Sequence, residues 1–106
     1  MTASGIEAVF LTTHNWGAAA KFFTDLGFEL DFETDHSSGR LRAPSGGPYL
    51  FVAEVPQDQE PQTQVVLRVA AEGAAGVDFT DTHYGTREAV VQDPDGREWT
   101  LQSVGA

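Results

Sequence analysis

The side chains of this chain that could do chemistry are mainly carboxylates and three histidines, and their spacing matches no catalytic or metal-binding motif. No two of His14, His36 and His83 have the i, i+4 spacing of a helical metal site. The chain has no cysteine, which excludes disulfides and thiolate chemistry. Residues 45–48 are rich in glycine but lack the lysine and the following helix of a phosphate-binding loop. Candidate functional residues therefore lie on the predicted strands, where alternation assigns each side chain to a face.

Alternation assigns the side chains of each predicted strand to one of its two faces. Ala8, Phe10 and Thr12 share a face of the first strand, Gln64, Val66 and Arg68 share a face of the fifth, and Glu98 and Thr100 share a face of the last. Phe10 is the best candidate for stacking on a flat ligand. Glu98 could bind a cationic ligand, act as a general base, or be a solvated acid at the strand edge. Arg68 could pair with Glu98, bind a carboxylate of a ligand, or reach solvent, since a buried arginine requires an acidic partner.

The elements that position these residues occur twice in the sequence. Residues 8–25 align with residues 64–81 at eight of eighteen positions, among them Gly17 with Gly73 and Phe23 with Phe79. We interpret this match as a duplicated unit, and the alternative is coincidence between two alanine-rich helices. The repeat units span about residues 6–55 and 63–103, and the polar segment 56–62 links them.

The first unit is predicted to fold as βαβββ, with its helix between Asn15 as N-cap and Gly27 as the residue that ends it. Its strands are predicted at residues 6–13, 28–34, 40–43 and 49–55. The apolar stripe of the helix is predicted to contain Ala19, Phe22, Phe23 and Leu26. Along residues 28–34 apolar and acidic side chains alternate, which predicts a buried face with Leu30 and Phe32 and an outer acidic face with Asp31.

The second unit is predicted to be a shorter βαβββ. Its elements are a strand at 64–70, a short helix at 71–77, and strands at 77–81, 86–92 and 97–102. The sequence DPDG at residues 93–96 predicts a tight turn between the last two strands. Alternation places Trp99 opposite Thr100, in the core beneath the helix.

Composition predicts a single ordered domain, because the chain has 106 residues and 41% of them are apolar. Its net charge of −10 argues against binding of nucleic acid, which requires basic side chains. The same charge favours a cationic small molecule, although an acidic surface can also serve solubility alone. No apolar run is long enough to span a membrane and no secretion signal is evident, so a cytoplasmic location is expected.

Residues 83–101, HYGTREAVVQDPDGREWTL, and the Leu26-Gly27-Phe28 turn after the first helix resemble the vicinal oxygen chelate superfamily of glyoxalases, bleomycin-resistance proteins and dioxygenases. The resemblance extends over nearly the whole chain, from about residue 6 to residue 102. It implies an α+β fold in which two paired βαβββ units form curled sheets around a cavity. It also implies a homodimer, because dimers are common in that superfamily.

Enzymes of the superfamily hold a divalent metal on His, Glu or Gln side chains, and the resemblance places those positions at Ala8, Leu50, Gln64 and Thr100. Alanine and leucine have no donor atom and a threonine hydroxyl is a poor ligand, whereas catalytic zinc sites keep about three protein ligands. The resemblance is therefore closest to the metal-free, bleomycin-resistance-like branch, and neither a metal nor another cofactor is expected.

The expected function is that of a metal-free protein of the bleomycin-resistance type, related to antibiotic resistance, that sequesters an aromatic small molecule in a cavity. The net charge favours a cationic compound as this ligand. The expected ligand-binding residues are Phe10, Thr12, Leu50, Gln64, Val66, Arg68, His83, Tyr84, Glu98 and Thr100. The alternative is a metal-dependent glyoxalase- or dioxygenase-like enzyme using Glu7, Gln64 and Glu98, which requires a strand register shifted by one residue. A third interpretation is a subunit with a vestigial cavity that associates with another protein.

Overall fold

The computed structural model describes residues 3–70, 77–82 and 85–103. These residues form one helix and eight strands, with both parallel and antiparallel strand pairs. The elements are β1 (Ala3–Thr13), α1 (Trp16–Asp25), β2 (Glu29–Glu33), β3 (Ser38–Arg42), β4 (Tyr49–Glu54), β5 (Thr63–Val69), β6 (Thr80–Asp81), β7 (Arg87–Gln92) and β8 (Glu98–Ser103). The predicted second helix falls largely on residues 71–76, outside the described residues, as do His83 and Tyr84. Within the described ranges, no helix has the length and apolarity needed to cross a bilayer.

The chain divides into two compact units. The N-unit is Ala8–Thr63, and the C-unit is the described part of Met1–Glu7 and Gln64–Ala106. In the N-unit the strand order is β2-β3-β4-β1, with antiparallel pairs except for the parallel pair β4–β1. In the C-unit the order is β6-β7-β8-β5, and again only β8–β5 is parallel. The boundary differs from the predicted repeat units of 6–55 and 63–103, because the start of β1 groups with the C-unit.

The β2–β3 and β6–β7 connections have the same hydrogen bonds at positions 48 residues apart in the sequence. Thr34 N donates to the Ser38 carbonyl at 2.9 Å, and Thr82 N donates to the Thr86 carbonyl at 2.8 Å. The hydroxyls of Thr34 and Ser38 lie 2.6 Å apart, and those of Thr82 and Thr86 lie 2.8 Å apart. The two hairpins are therefore held by side chains of the same chemistry in the same arrangement.

Helix α1 begins as the sequence predicts, because Asn15 Oδ1 accepts a hydrogen bond from Ala18 N at 3.0 Å. Glu54 on β4 adds a second cap, since its Oε1 accepts a bond from Trp16 N at 2.8 Å and places a negative charge at the helix N-terminus. Trp16 is itself buried and joins Leu41 and Val52 in the core of the N-unit. The helix is therefore fixed to the sheet at its first residue.

The apolar stripe predicted for α1 is only half right. Ala19 and Phe23 pack against the core of the N-unit, but the side chains of Phe22 and Leu26 are 59% and 65% exposed. The core-facing arc of the helix is centred on Trp16, which is itself the deepest side chain. With 3.6 residues per turn, Phe22 and Leu26 are rotated around the helix axis to positions beyond one edge of this arc.

Strand β2 differs from its predicted alternation because it contains an extra residue. Leu30 pairs with Leu41 and Phe32 pairs with Arg40, so two steps along β2 oppose one step along β3. Asp31 is the additional residue of this β-bulge. Leu30 stays on the side of the buried Leu41, whereas Phe32 moves to the opposite face. The predicted buried face shared by Leu30 and Phe32 is therefore wrong, whereas Asp31 is exposed as predicted.

The core of the C-unit lies on one side of β5, β7 and β8. Its buried members are Val69, Phe79, Ala89 and Leu101. Trp99, predicted to be in this core, is only half-buried, and its indole N–H donates to Asp93 Oδ2 at 3.1 Å. The indole of Trp99 therefore stabilises the β7–β8 turn through this hydrogen bond and is not a buried member of the apolar cluster.

The predicted DPDG turn joins β7 to β8, and Asp93 organises it. The carboxylate of Asp93 accepts hydrogen bonds from the backbone N–H groups of Asp95 and Arg97, each at 2.9 Å. It also accepts bonds from Arg97 Nε at 2.8 Å and from the Trp99 indole. The hydrogen bonds from Arg97 and then Trp99 hold the pKa of Asp93 well below its usual value.

Replacing Asp93 with asparagine is expected to lower the melting temperature of the protein by several degrees at neutral pH, because an amide cannot accept this set of donors. Above the unfolded-state pKa of about 3.9 the folded carboxylate is stabilising, and that stabilisation is lost as the pH falls through the lower folded pKa. The difference in melting temperature between wild type and variant should therefore be constant above about pH 5 and narrow below about pH 4.

Circular dichroism during heating at each pH measures this effect. Asp95→Asn is the matched control, because Asp95 lies in the same turn but is 77% exposed and contacts Arg97 at 3.2 Å. Equal losses for the two variants, or an Asp93→Asn loss that is the same at every pH, would contradict the assigned role.

Candidate functional site

One row of side chains runs across all four strands of the N-unit on the face opposite α1. Phe32 pairs with Arg40, Arg40 pairs with Phe51, and Phe51 pairs with Phe10. Register partners on adjacent strands point to the same side of a sheet, so these four side chains form one continuous row. Three aromatic rings and one guanidinium therefore occupy the centre of this face.

The rings of this row contact one another. Phe10 and Phe51 are stacked, with ring centroids 5.9 Å apart and planes inclined by 7°. Phe32 and Phe51 are tilted at 57° with centroids 6.3 Å apart. The guanidinium carbon of Arg40 lies 5.1 Å from the Phe32 centroid and 4.6 Å from the Tyr49 centroid. We call these five residues the aromatic face of the N-unit.

The aromatic face is accessible without any rearrangement of the N-unit. Phe32 is 44% exposed, and the other four residues are half-buried. The positive charge of Arg40 on this face is paired with the carboxylate of the neighbouring Asp31. Asp31 Oδ2 accepts hydrogen bonds from Arg40 at 2.7 Å and from Arg42 at 3.3 Å. The hydrogen bond from Arg40 lowers the pKa of Asp31, so this carboxylate is ionised at neutral pH.

Leu50 does not lie on the predicted face. It packs with the helix-side cluster around Leu41, whereas its neighbours Tyr49 and Phe51 lie on the aromatic face. The physical reason is the parallel register that pairs Phe10 with Phe51, because a one-residue difference in register exchanges the two faces of a strand. The predicted position of Phe10 on the face opposite the helix agrees with the structure.

Thr12 lies two residues after Phe10, but its hydrogen-bonding groups are used within the N-unit. Its hydroxyl accepts from Gln62 N at 2.7 Å, and its backbone N–H donates to the Gln62 carbonyl at 2.9 Å. Thr12 therefore holds the 56–62 segment against β1. His14 has a similar contact, since its Nε2 lies 2.6 Å from the Gln59 carbonyl oxygen.

In the C-unit, three of the predicted site residues come together. Gln64 Nε2 donates to Thr100 Oγ1 at 2.8 Å, and Val66 pairs with Thr100 across β5 and β8. Val66 and Thr100 are buried, with exposed fractions of 8% and 9%. Glu98 is exposed and pairs with Gln92 on β7. The face opposite the C-unit core therefore carries polar side chains beside Val66 and Val90, in contrast to the aromatic face.

Arg68 contacts Glu7 and not Glu98, which is one of its three predicted alternatives. Its Nη1 lies 3.6 Å from Glu7 Oε1, and its side chain is 43% exposed. Within the described part of the chain, the buried Arg68 Nε has no hydrogen-bond partner. Whether these C-unit side chains, or His83 and Tyr84, bind a ligand stays a prediction.

The residues at the superfamily's metal positions do not fit a divalent ion. Ala8 is 2% exposed and has no donor, and the Gln64 amide is engaged with Thr100. The alternative set fits no better, because Glu7 is the ion-pair partner of Arg68. In the described ranges, no three His, Cys, Asp or Glu side chains are grouped closely enough to hold a metal.

The sequence matches no known family model and no curated protein, but the fold has known counterparts among solved structures. A glyoxalase/bleomycin resistance protein/dioxygenase superfamily member from Vibrio splendidus has a TM-score of 0.69 at 20% identity, over 96% of this chain and 99% of that one. The chain has the fold of this superfamily.

Two enzymes share this superfamily fold with the chain. Methylmalonyl-CoA epimerase from Mycobacterium tuberculosis has a TM-score of 0.76 at 16% identity, over 95% of this chain and 88% of that one. The halotolerant catechol dioxygenase BphC has a TM-score of 0.66 at 16% identity, over 96% of this chain but 40% of its own. Because the superfamily fold hosts different chemistries, the function depends on the residues of the site.

Most of the aromatic face is not predicted from the sequence. Phe32, Arg40, Tyr49 and Phe51 were not among the predicted ligand-binding residues, although Phe10 was. The signal that could have found two of them is the run Tyr49-Leu50-Phe51, where aromatic residues alternate with a leucine on a strand adjacent to Phe10. Phe32 and Arg40 depend on the bulge in β2, which residue types alone do not reveal.

Proposed function

We propose that this protein binds a small aromatic compound on the aromatic face of the N-unit, without a metal and without catalysis. The observation that carries the proposal is the stacked pair of Phe10 and Phe51, flanked by Phe32, on a sheet face that the helix does not cover. Such a face offers flat apolar surface together with few polar groups, the combination that is typical of small-molecule sites. This function is of the bleomycin-resistance type, in which the compound is sequestered.

The metal-free part of the proposal rests on the donor set. The positions that hold a metal in superfamily enzymes are occupied here by Ala8, by Leu50, and by the mutually bonded Gln64 and Thr100. One neutral amide oxygen does not replace the three protein ligands of a catalytic site. We also propose that the protein is a homodimer and that it has a cytoplasmic, resistance-related role. Sedimentation analysis tests the dimer, because it measures whether the mass in solution is that of one chain or of two.

Replacing Phe51 with alanine is expected to weaken the binding of a neutral aromatic probe, 2-naphthamide, by about tenfold or more, because an aromatic contact contributes about 1 kcal/mol and the truncation also opens a gap between Phe10 and Phe32. Isothermal titration calorimetry measures the dissociation constants. Phe22→Ala is the matched control, because it removes the same side chain from the exposed surface of α1. We expect that variant to bind as wild type does.

Phe10→Ala provides a second test if the Phe51 variant does not fold. An unchanged affinity in the Phe10 and Phe51 variants, or an equal loss in Phe22→Ala, would overturn the proposed function. Titration of the chelator-treated protein with zinc, nickel and manganese tests the metal-free part, and stoichiometric tight binding of any of them would reject it.

A further inference from the structure

The aromatic face contains a cationic group at its centre, which bears on the charge of the compound that it binds. Arg40 stands between Phe32 and Phe51 in the cross-strand row, and its guanidinium lies over the rings of Phe32 and Tyr49. A guanidinium stacked on rings keeps its N–H donors directed outward in its own plane. This cation is therefore held in a fixed orientation beside the surface on which a flat ligand would stack.

Hydrogen-bond donors outnumber acceptors around this cation. Arg40 and Arg42 share the one carboxylate of Asp31, at 2.7 and 3.3 Å, and each guanidinium has five N–H donors. Glu29 is the register partner of Arg42, but the carboxylate within ion-pair distance of Arg42 is that of Asp31. Arg42 is also 49% exposed, so its remaining donors can be reached from solvent. The two arginines can accommodate a second anion.

The net charge of −10 opposes the binding of an anion, but this repulsion acts at longer range than the contacts with the arginines. Interactions between exposed charges are screened over about 8 Å at physiological ionic strength. A group in contact with Arg40 and Arg42 lies well within that distance of both guanidiniums, and the acidic residues next to them on β2 are Asp31 and Glu29. The total charge therefore slows the approach of an anion, and the local donors determine whether it stays bound.

The dimensions of the face match an aromatic acid. Adjacent strands are about 4.8 Å apart, so Arg40 lies one strand away from the Phe51 ring and two from the Phe10 ring. A ring stacked beside Phe10 and Phe51 would place a carboxylate, attached to the edge of the ring, beside the arginines. This spacing suits a mono- or bicyclic arene with the acid group attached directly.

We infer that the compound bound on the aromatic face is an aromatic carboxylate, whose ring packs beside Phe10 and Phe51 and whose carboxylate binds Arg40 and Arg42. This inference rests on the proposed function and makes it more specific. It replaces the cationic ligand that the net charge suggests with an anionic one.

Three naphthalene compounds of the same shape and different charge test the inference by calorimetry at neutral pH and low salt. These are 2-naphthoate, 2-naphthamide and 2-naphthylmethylammonium. We expect 2-naphthoate to bind at least about tenfold more tightly than 2-naphthamide, since charge-assisted hydrogen bonds are about twice as strong as neutral ones. The ammonium compound should bind most weakly, and added salt should reduce the preference for naphthoate.

Arg42→Gln identifies the source of the preference. This variant is expected to lower the affinity for 2-naphthoate several-fold more than the affinity for 2-naphthamide. Lys21→Gln is the matched control, because it removes the same charge from an exposed position on α1, away from the aromatic face. We expect it to leave the preference for naphthoate intact.

The outcomes separate the two proposals. If the three compounds bind equally, or the ammonium compound binds best, the inference is overturned while Phe51-dependent binding keeps the proposed function. If Lys21→Gln reduces the preference as much as Arg42→Gln does, net charge is its source and the inference is also wrong. If none of the compounds binds, the proposed function and this inference both fall.

Discussion

Replacing Gly39 with alanine is expected to destabilise the protein by about 3 kcal/mol, at the upper end of the usual range for overpacking a core. A Cβ atom at this position would lie 2.7 Å from the carbonyl oxygen of Phe32 and 2.7 Å from two carbons of the Trp16 ring. The Phe32 oxygen belongs to the backbone of the adjacent strand, so it cannot rotate away. Trp16 is fixed as well, because it is buried and its indole N–H donates to Glu33.

Chemical denaturation monitored by fluorescence measures this loss, which corresponds to a fall in melting temperature of roughly 15 °C for a domain of this size. Gly17→Ala is the control with the opposite sign. A Cβ at Gly17 meets nothing closer than 3.6 Å, and alanine favours the helix by up to about 1 kcal/mol. If Gly39→Ala were as stable as wild type, the close packing of Trp16 on β3 would be wrong.

A further variant separates the two obstacles at Gly39. Trp16→Phe in the Gly39→Ala background removes the outer part of the ring, so part of the lost stability should return. The two substitutions are therefore expected to be non-additive, as is usual for residues in contact. The remaining deficit measures the clash with the Phe32 carbonyl.

Replacing Leu41 with alanine is expected to lower the free energy of unfolding by about 3 kcal/mol, because it leaves a cavity beside Val52 and Trp16. Leu41 has no exposed surface. Its cross-strand partner Leu30 provides a matched control, since it is the same residue type in the same ladder but is 48% exposed. Leu30→Ala should cost less than about 1 kcal/mol.

Urea titrations of both variants, with the wild type measured in parallel, give the comparison. A loss for Leu41→Ala as small as the loss for Leu30→Ala would show that the core of the N-unit does not lie on the helix side of β3. Such a result would also contradict the assignment of the opposite side as the aromatic face, because both assignments follow from the same register.

Local signals in the sequence predict much of this structure. Asn15 caps α1, Gly27 follows the helix with a φ of 107°, and the Asp93–Gly96 turn forms where its residue types place it. These features depend on neighbouring residues, so they can be read from the chain alone. The alternation of β5 and β8 also correctly places Val66 and Thr100 on one face.

The features that sequence patterns do not predict depend on which strands pair and in what register. The face of Leu50 is set by the pairing of β4 with β1, and the depth of Trp16 is set by the absence of a side chain at Gly39. Both are relations between residues distant in sequence. The aromatic face is missed for the same reason, because a register is a property of two strands together.

The bulge at Asp31 means that the aromatic face depends on the number of residues in β2 as well as on their types. Removing that one residue would give a regular ladder in which Leu30 still opposes Leu41 and Phe32 still opposes Arg40, but it would deprive both arginines of their shared carboxylate. In the divergence of such proteins, a one-codon deletion or insertion within this strand would therefore alter ligand preference more abruptly than most substitutions, while leaving the helix-side core largely as it was.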